Sequence, residues 1–343
     1  MNLLPDSQQQ QIVDTLIDLL GREAPVDRFR EHGEVGNVDY RLWPTLGELG
    51  FLGLGLGEDV GGVGLSAAEE VLVFKEFGSH LLSVGVFGLT LGARIAALAG
   101  NEALCKEILS GSTKIGVANK FDDNVQLSGA ACAGSFHLFE ADDSDFVLLL
   151  NEHGAALVAS DHFIDRTPVK PMDAILSLAR GKLPATQPDY WIAASDDPLH
   201  TRALLLAAAY ATGVAVTTQK MAVEYAKIRE QFGKPIGSFQ AVKHLCAEMA
   251  IRSEAAQSQC LLSALVFSEN REDQIFQALS SKITSVDAAL RNAASNIQIH
   301  GAFGFTSEAN AHHFLKRAHV LDQLWGDLRH QRARLLSLPT PAT

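Results

Sequence analysis

Two short runs carry the residues best suited to chemistry. Tyr225 to Gln240 reads YAKIREQFGKPIGSFQ, and Gln298 to Phe305 reads QIHGAFGF. The planar guanidinium of Arg229 suits a pyrophosphate, to which it gives two parallel charge-assisted hydrogen bonds. Gln231, Gln240 and Gln298 bring amides that both donate and accept, and Phe232 offers an apolar wall. Gly301 lacks a Cβ, so main chain there can approach a phosphate closely. This is chemistry for holding a phosphorylated ligand, not for breaking a bond. The same residues also admit a plain reading. Arg229 answers the dipole of a helix C-terminus, Gly233 stops that helix in the left-handed conformation, and Pro235 keeps it from resuming. Gly301 and Gly304 then merely turn the chain between helices.

Other candidates are weaker. His312 and His313 are consecutive, so a helix splays them about 100° apart and they make a poor metal pair. His319 and His330 fall on the polar face of the last helical segment. No serine stands in a nucleophile turn of the G-x-S-x-G kind. The sequence offers no catalytic residue and no metal site.

The elements that position these runs follow from periodicity. The chain has 343 residues, 47% hydrophobic and 20% charged, enough for two or three compact units of ~100–200 residues. A formal net charge of −12 argues against nucleic acid as a partner. The start, Met1 to Gln11, lacks the basic and apolar regions of a signal peptide. Ala203 to Val216 is apolar but too short to span a bilayer, so no membrane partner is expected. Cys105, Cys132, Cys246 and Cys260 are far apart and read as reduced core thiols of a cytoplasmic protein.

The first third is helical. Ser7 with Gln10, and Ser66 with Glu69, form capping-box patterns before apolar helical faces. Between them lies the glycine-dense stretch from Gly50 to Ser66. Asn101 to Leu109 forms a short helix ended by Gly111. Short apolar runs, Phe146 to Leu150 and Ala156 to Ala159, then mark a small β region over about 114–197, where Pro168, Pro171, Pro184 and Pro188 break any long helix. Helical spacing returns over about 199–229, 239–268, 273–298 and 307–324, which predicts a four-helix bundle.

RxQFGxPIxxFQ, followed at this separation by QIHGAFG, resembles the C-terminal domain of the FAD-dependent acyl-CoA dehydrogenases. The resemblance implies a mainly α fold with a small middle β domain: an N-terminal helical domain (1–113), a β-barrel-like middle (114–198) and a C-terminal four-helix bundle (199–343). It implies FAD as cofactor, held through Arg229, Gln231, Phe232, Gln240, Gln298, Gly301 and Ala302, with the 229–240 loop reaching a flavin held mainly by a neighbouring subunit. Ala302 stands where the family usually has a second glycine.

The departures are as telling. Acyl-CoA dehydrogenation needs a carboxylate to take the proton α to the thioester. The family's base position falls on Gly326, within Leu324-Trp325-Gly326-Asp327, and its alternative position on Ala203. A glutamate at 326 fills the family's base position but not the missing flavin-facing segments, so no activity is expected from it in the isolated chain, whereas Asp327 is a helix cap or a solvated charge. The family's flavin-facing Thr-Glu-Pro run should follow Gly116-Val117-Ala118, where this chain reads Asn119-Lys120-Phe121. Trp191-Ile192-Ala193 comes too late to be the strand flanking the flavin ring. The expected protein is the base-lacking subunit of a heteromeric acyl-CoA dehydrogenase, paired with a full-length homologous subunit in a heterotetramer. It would act on an acyl-CoA, such as a fatty acyl or steroid side-chain thioester, and pass electrons to an electron-transfer flavoprotein. The alternatives are a homomeric dehydrogenase using Asp327 or another carboxylate, and a flavin oxidase or monooxygenase on the same fold.

Overall fold

The computed structural model describes residues 4–32 and 39–339. The helices are α1 (Ser7–Glu23), α2 (Arg28–His32), α3 (Trp43–Glu48), α4 (Ala67–Ser79), α5 (Gly85–Leu98), α6 (Glu102–Leu109), α7 (Leu199–Ile228), α8 (Gln240–Ser268), α9 (Gln274–His300), α10 (Ala311–Gln323) and α11 (Leu328–Ser337). The strands are β1 (Ile115–Lys120), β2 (Gln126–Leu127), β3 (Cys132–Phe139), β4 (Phe146–Asn151), β5 (Gly154–Ala159), β6 (Ile164–Pro168), β7 (Leu178–Thr186), β8 (Tyr190–Ala193), β9 (Glu230–Gln231) and β10 (Lys234–Pro235). The expected order of helices, middle sheet and helices is present. The chain groups into two compact units, one of residues 1–33, 71–81 and 204–343, the other of 34–70 and 82–203.

The second unit holds the sheet, in the order β6-β7-β3-β1-β4-β5-β8, with β2 paired to β3. Only β1 and β4 among these neighbours run parallel. The two apolar runs seen in the sequence are β4 and β5, paired from Phe146–Ala159 to Asn151–Gly154. Asn151 Oδ1 closes their turn by accepting from the N–H of His153 (2.9 Å) and Gly154 (3.1 Å). Alternate side chains (Phe136, Leu138, Val147, Leu149, Val158, Leu183) form the sheet's core. Arg94 donates to Asp197 (Nε, 3.0 Å) and to the Gly55 carbonyl (3.1 Å), and buried Arg202 pairs with buried Glu70. These bonds tie the glycine-dense 50–64 segment to the start of α7.

The first unit is the bundle. Asn292, buried on α9, donates to Ala215 O (3.1 Å) on α7, and to Met249 O and Ser253 Oγ (both 3.0 Å) on α8. One amide thus fixes the register of three helices and leaves no donor unmet. Where α4 crosses α7, a Cβ on Gly78 or Gly213 would collide with the carbonyl of Tyr210 or Lys75, so two glycines set this close approach. The four expected bundle helices are α7 to α10, and α11 is a further helix packed on α9 that its weak apolar face did not announce. The most apolar window of α7 is long enough to cross a membrane but is wholly buried in the fold.

Two local expectations are corrected. The N-cap of α1 is Asp6, not Ser7. Its carboxylate accepts from Gln8 and Gln9 N–H (both 2.9 Å), and Gln9 Oε1 returns to Asp6 N–H (3.0 Å), one residue before the expected box. Asp and Ser cap about equally well, so a one-residue ambiguity was built into the pattern. Gly233 does not stop a helix. Phe232 (φ +53°) and Gly233 (φ +75°) are the central pair of a two-residue hairpin joining β9 to β10, the double left-handed geometry of a type I′ turn. The Ser66–Glu69 box is present, with Glu69 accepting from Ser66 N–H at 2.8 Å and Ser66 Oγ from Ala68 N–H at 3.1 Å.

Candidate cofactor cleft and the closed base position

The end of α7, the β9–β10 hairpin and the end of α9 enclose an open cleft of about 730 Å³, all within the bundle unit. Of the expected cofactor residues, Arg229, Gln231, Gly301 and Ala302 line it. Arg229 is placed by its N–H on Tyr225 O (2.9 Å) and by its carbonyl, which accepts from Ile236 N–H (2.8 Å). Its side chain is exposed and has no carboxylate partner among the described residues, so the guanidinium is open to an anion. Gly301 ends α9 at φ +63°, ψ −144°, a conformation that requires glycine, with nothing within 4 Å of a notional Cβ. Ala302 lies in the following 3₁₀ turn and is not a positive-φ residue, so its departure from glycine carries no strain.

The other three expected residues stand outside the lining. Phe232 projects from the hairpin tip, 91% exposed, edge-on to Phe239. Gln240 opens α8 and Gln298 lies on α9, both exposed. What the sequence reading missed is an aromatic wall. Tyr225 and His300 stack at 4.1 Å and 21°, and Phe303 runs nearly parallel to Tyr225 at 6.3 Å and 8°. Both Tyr225 and His300 lie inside the two motifs, so only their mutual stacking was hidden. Burial pushes the His300 imidazole below its ordinary value, partly opposed by its Nδ1 on Asn296 O (2.8 Å). An unpartnered guanidinium, a glycine that frees main-chain approach and an aromatic wall suit the phosphate and ring ends of a dinucleotide such as FAD.

The 324–327 turn, where the resemblance puts the family's base, is built in the opposite way. Trp325 (φ +56°) and Gly326 (φ +107°) make a tight turn after α10. Buried Gln331 donates its amide to Trp325 O (2.7 Å) and Gly326 O (3.2 Å). Lys282, buried on α9, donates to Leu321 O (2.5 Å) and Leu324 O (3.1 Å), capping the end of α10. Burial lowers the Lys282 ammonium to about 7, against the pull of Asp322. A Cβ on Gly326 would lie 2.7 Å from both Gln331 Nε2 and His330 Cδ2. A side chain at 326 would be strained by the positive φ and would have to displace the Gln331 and His330 side chains. Asp327 is the N-cap of α11, accepting from His330 N–H at 2.7 Å. Ala203 is fully buried.

His312 and His313 do not splay. Their rings approach to 4.0 Å, with His313 also against Phe29. Among the described residues, no three His, Cys, Asp or Glu side chains gather as a metal site. In the sheet unit, Phe121 has Arg180 over its face at 3.8 Å and His137 at its edge at 5.1 Å. Trp191 lies on β8, opposite Ala156 of β5 and against the sheet's core.

Profiles for the acyl-CoA dehydrogenase N-terminal and C-terminal domains match residues 6–114 and 197–335. The chain belongs to the acyl-CoA dehydrogenase family. Acyl-CoA dehydrogenase FadE34 of Mycobacterium tuberculosis is 35% identical over 307 residues, 87% of this chain but 42% of that protein's length. Acyl-CoA dehydrogenase IpdE2 of the same organism is 29% identical over 339 residues, 98% of each. Among solved structures, the ChsE4–ChsE5 complex from Mycobacterium tuberculosis has a chain that superposes with a TM-score of 0.86 at 21% identity, covering 99% of this chain and 100% of that one. This acyl-CoA dehydrogenase family chain thus has the family's fold throughout, and the family is FAD-dependent.

Proposed function

We propose that this chain is the non-catalytic, FAD-clamping partner in a heteromeric acyl-CoA dehydrogenase that introduces an α,β double bond into an acyl-CoA. The observation that carries this reading is the closed 324–327 turn, where positive-φ backbone is held by hydrogen bonds from the Gln331 amide to Trp325 O and Gly326 O. The bound flavin supplies hydride acceptance. This chain's own part is to hold the phosphates with Arg229 and the Gly301–Ala302 main chain, and to wall the cleft with Tyr225 and His300. A sister subunit supplies the carboxylate and carries the flavin ring.

The exposed apolar residues near the cleft, Ile228, Phe232 and Phe305, support a partner chain there, since large side chains left in water at 74–91% exposure are unfavourable without one. The ChsE4–ChsE5 neighbour is itself a complex of two named chains, which supports the heteromer. Fatty acyl or steroid side-chain thioesters as substrates, an electron-transfer flavoprotein as acceptor and a cytoplasmic setting complete the proposal. The homomeric alternative would rest on Asp327, whose carboxylate already caps α11.

The test is expression of the chain alone and beside its candidate sister subunit, read by flavin absorbance. Alone, it is expected to purify without stoichiometric flavin and to leave acyl-CoA unreacted. Stoichiometric flavin that bleaches with an acyl-CoA, in the absence of any partner, overturns the reading.

A further inference from the structure

We propose that His300 is a second phosphate-binding group of the Arg229 cleft, one that grips the anion only when its imidazole is protonated, so that the clamp tightens in acid. The inference rests on the reading of this cleft as a pyrophosphate clamp and deepens it. Charge comes first. The chain has 40 Asp and Glu against 28 Lys and Arg, yet no acidic side chain lines the cleft, whose ionisable lining residues are Tyr225, Arg229 and His300. Glu224 and Glu230 lie outside the lining, and Glu224 pairs with Lys227 at 2.6 Å. Behind the wall, the ionisable group that α8 packs against this cluster is Cys246, whose thiol burial pushes up and so keeps uncharged. The hairpin and the 3₁₀ turn line the cleft with uncharged groups, Gln231 and Phe303 among them.

Placement comes second. Arg229 N–H donates to Tyr225 O at 2.9 Å, so the two side chains are one helical turn apart on the same side of the α7 end. His300 stacks on Tyr225 at 4.1 Å, which sets the imidazole on that side too, and Gly301 leaves open space next to it. The proton decides the rest. His300 Nδ1 lies 2.8 Å from Asn296 O. A carbonyl only accepts, so Nδ1 carries the hydrogen, and in the neutral ring Nε2 is a bare lone pair that repels a phosphate oxygen. The Nδ1 bond turns Nε2 away from its own helix, and among the described residues Nε2 has no partner. One proton makes Nε2 a donor, and a charge-assisted bond to a phosphate oxygen replaces the repulsion. Burial holds the unliganded imidazole below its ordinary value, so it is uncharged at neutral pH. A bound anion raises it again, and by linkage the anion binds more tightly as pH falls through about 6.5.

ADP-ribose is the probe, because it carries the pyrophosphate diester without a flavin ring and keeps its charge over the range tested. Titration of the purified full chain, by calorimetry and ligand-observed NMR, is expected to show binding about tenfold or more tighter at about pH 5.5 than at about pH 7.5. His300→Phe, which keeps a ring against Tyr225, and His300→Gln, uncharged at every pH, are each expected to erase that difference. Arg229→Ala is expected to weaken binding at both pH values. Arg229-dependent binding with a flat pH profile in the wild-type chain, or a profile that either folded His300 variant retains, overturns this inference and leaves the clamp reading standing. Absence of binding at both pH values overturns the clamp reading and this inference with it.

Discussion

The Arg229 cleft and the 324–327 turn end the same bundle, yet they are built to opposite rules. In the cleft, a guanidinium stands without a carboxylate, and Gly301 leaves open space where a Cβ would be. In the turn, the available carbonyls are taken by Gln331 and Lys282, and Gly326 is hemmed in by the side chains that follow it. An exposed guanidinium with no carboxylate beside it, next to open space over Gly301, leaves room for an anion. Hydrogen-bonded groups in a strained turn mark a place given over to architecture. On the proposed reading, the 324–327 turn lacks more than one carboxylate, since Gln331 and His330 have closed over it.

The comparison breaks most sharply at Gly326. Gly326→Glu puts an L side chain at φ +107° and against Gln331 and His330. Left-handed strain and overpacking each cost ~1–3 kcal/mol, so a loss of about 2–6 kcal/mol is expected in denaturant unfolding, with no gain of flavin reduction. A stable variant that reduces flavin would show the turn to be a working site lacking one residue.

Arg229→Ala probes the open side. Its loss should weaken FAD retention in the assembled complex by ~1.5–3 kcal/mol, one to two decades, while the melting temperature stays nearly constant. Flavin content measured after gel filtration decides this. Unchanged flavin with a lowered melting temperature would make Arg229 a helix-end residue and nothing more.

Asp327→Asn separates cap from base. Asparagine caps about as well as aspartate, so stability should hold, and turnover of the complex should change by less than about tenfold. A fall of several decades would return Asp327 to catalysis.

The smallest effect is expected at His300. Burial holds its folded value below the ordinary 6.5, so the unfolded chain binds the extra proton more readily. Stability from this group is thus lost as pH falls below about 6.5 and is flat above it. His300→Phe keeps an aromatic ring against Tyr225 and should flatten that acid-side slope in melting curves taken from pH 7.5 to 5. An unchanged slope would place the acid sensitivity elsewhere.

Much of this was legible in the chain itself. Period-3.6 apolar spacing laid out the bundle, and Phe146 to Leu150 with Ala156 to Ala159 announced the central hairpin of the sheet. RxQFGxPI marked the loop that borders the cleft. Those signals are local, set by propensity and by motifs contiguous in sequence. The structure decided what depends on distant partners. Tyr225 and His300 stack across 75 positions of chain, and Gln331 reaches back to close the 325–326 turn. Asn292 finds its acceptors on two other helices, and two glycines bring α4 onto α7. The hairpin at Phe232–Gly233 shows the boundary between the two kinds of knowledge. A glycine after a helix tells of a left-handed turn, but whether that turn caps the helix or folds a hairpin depends on Ile236 N–H meeting Arg229 O, and only the folded chain brings them together.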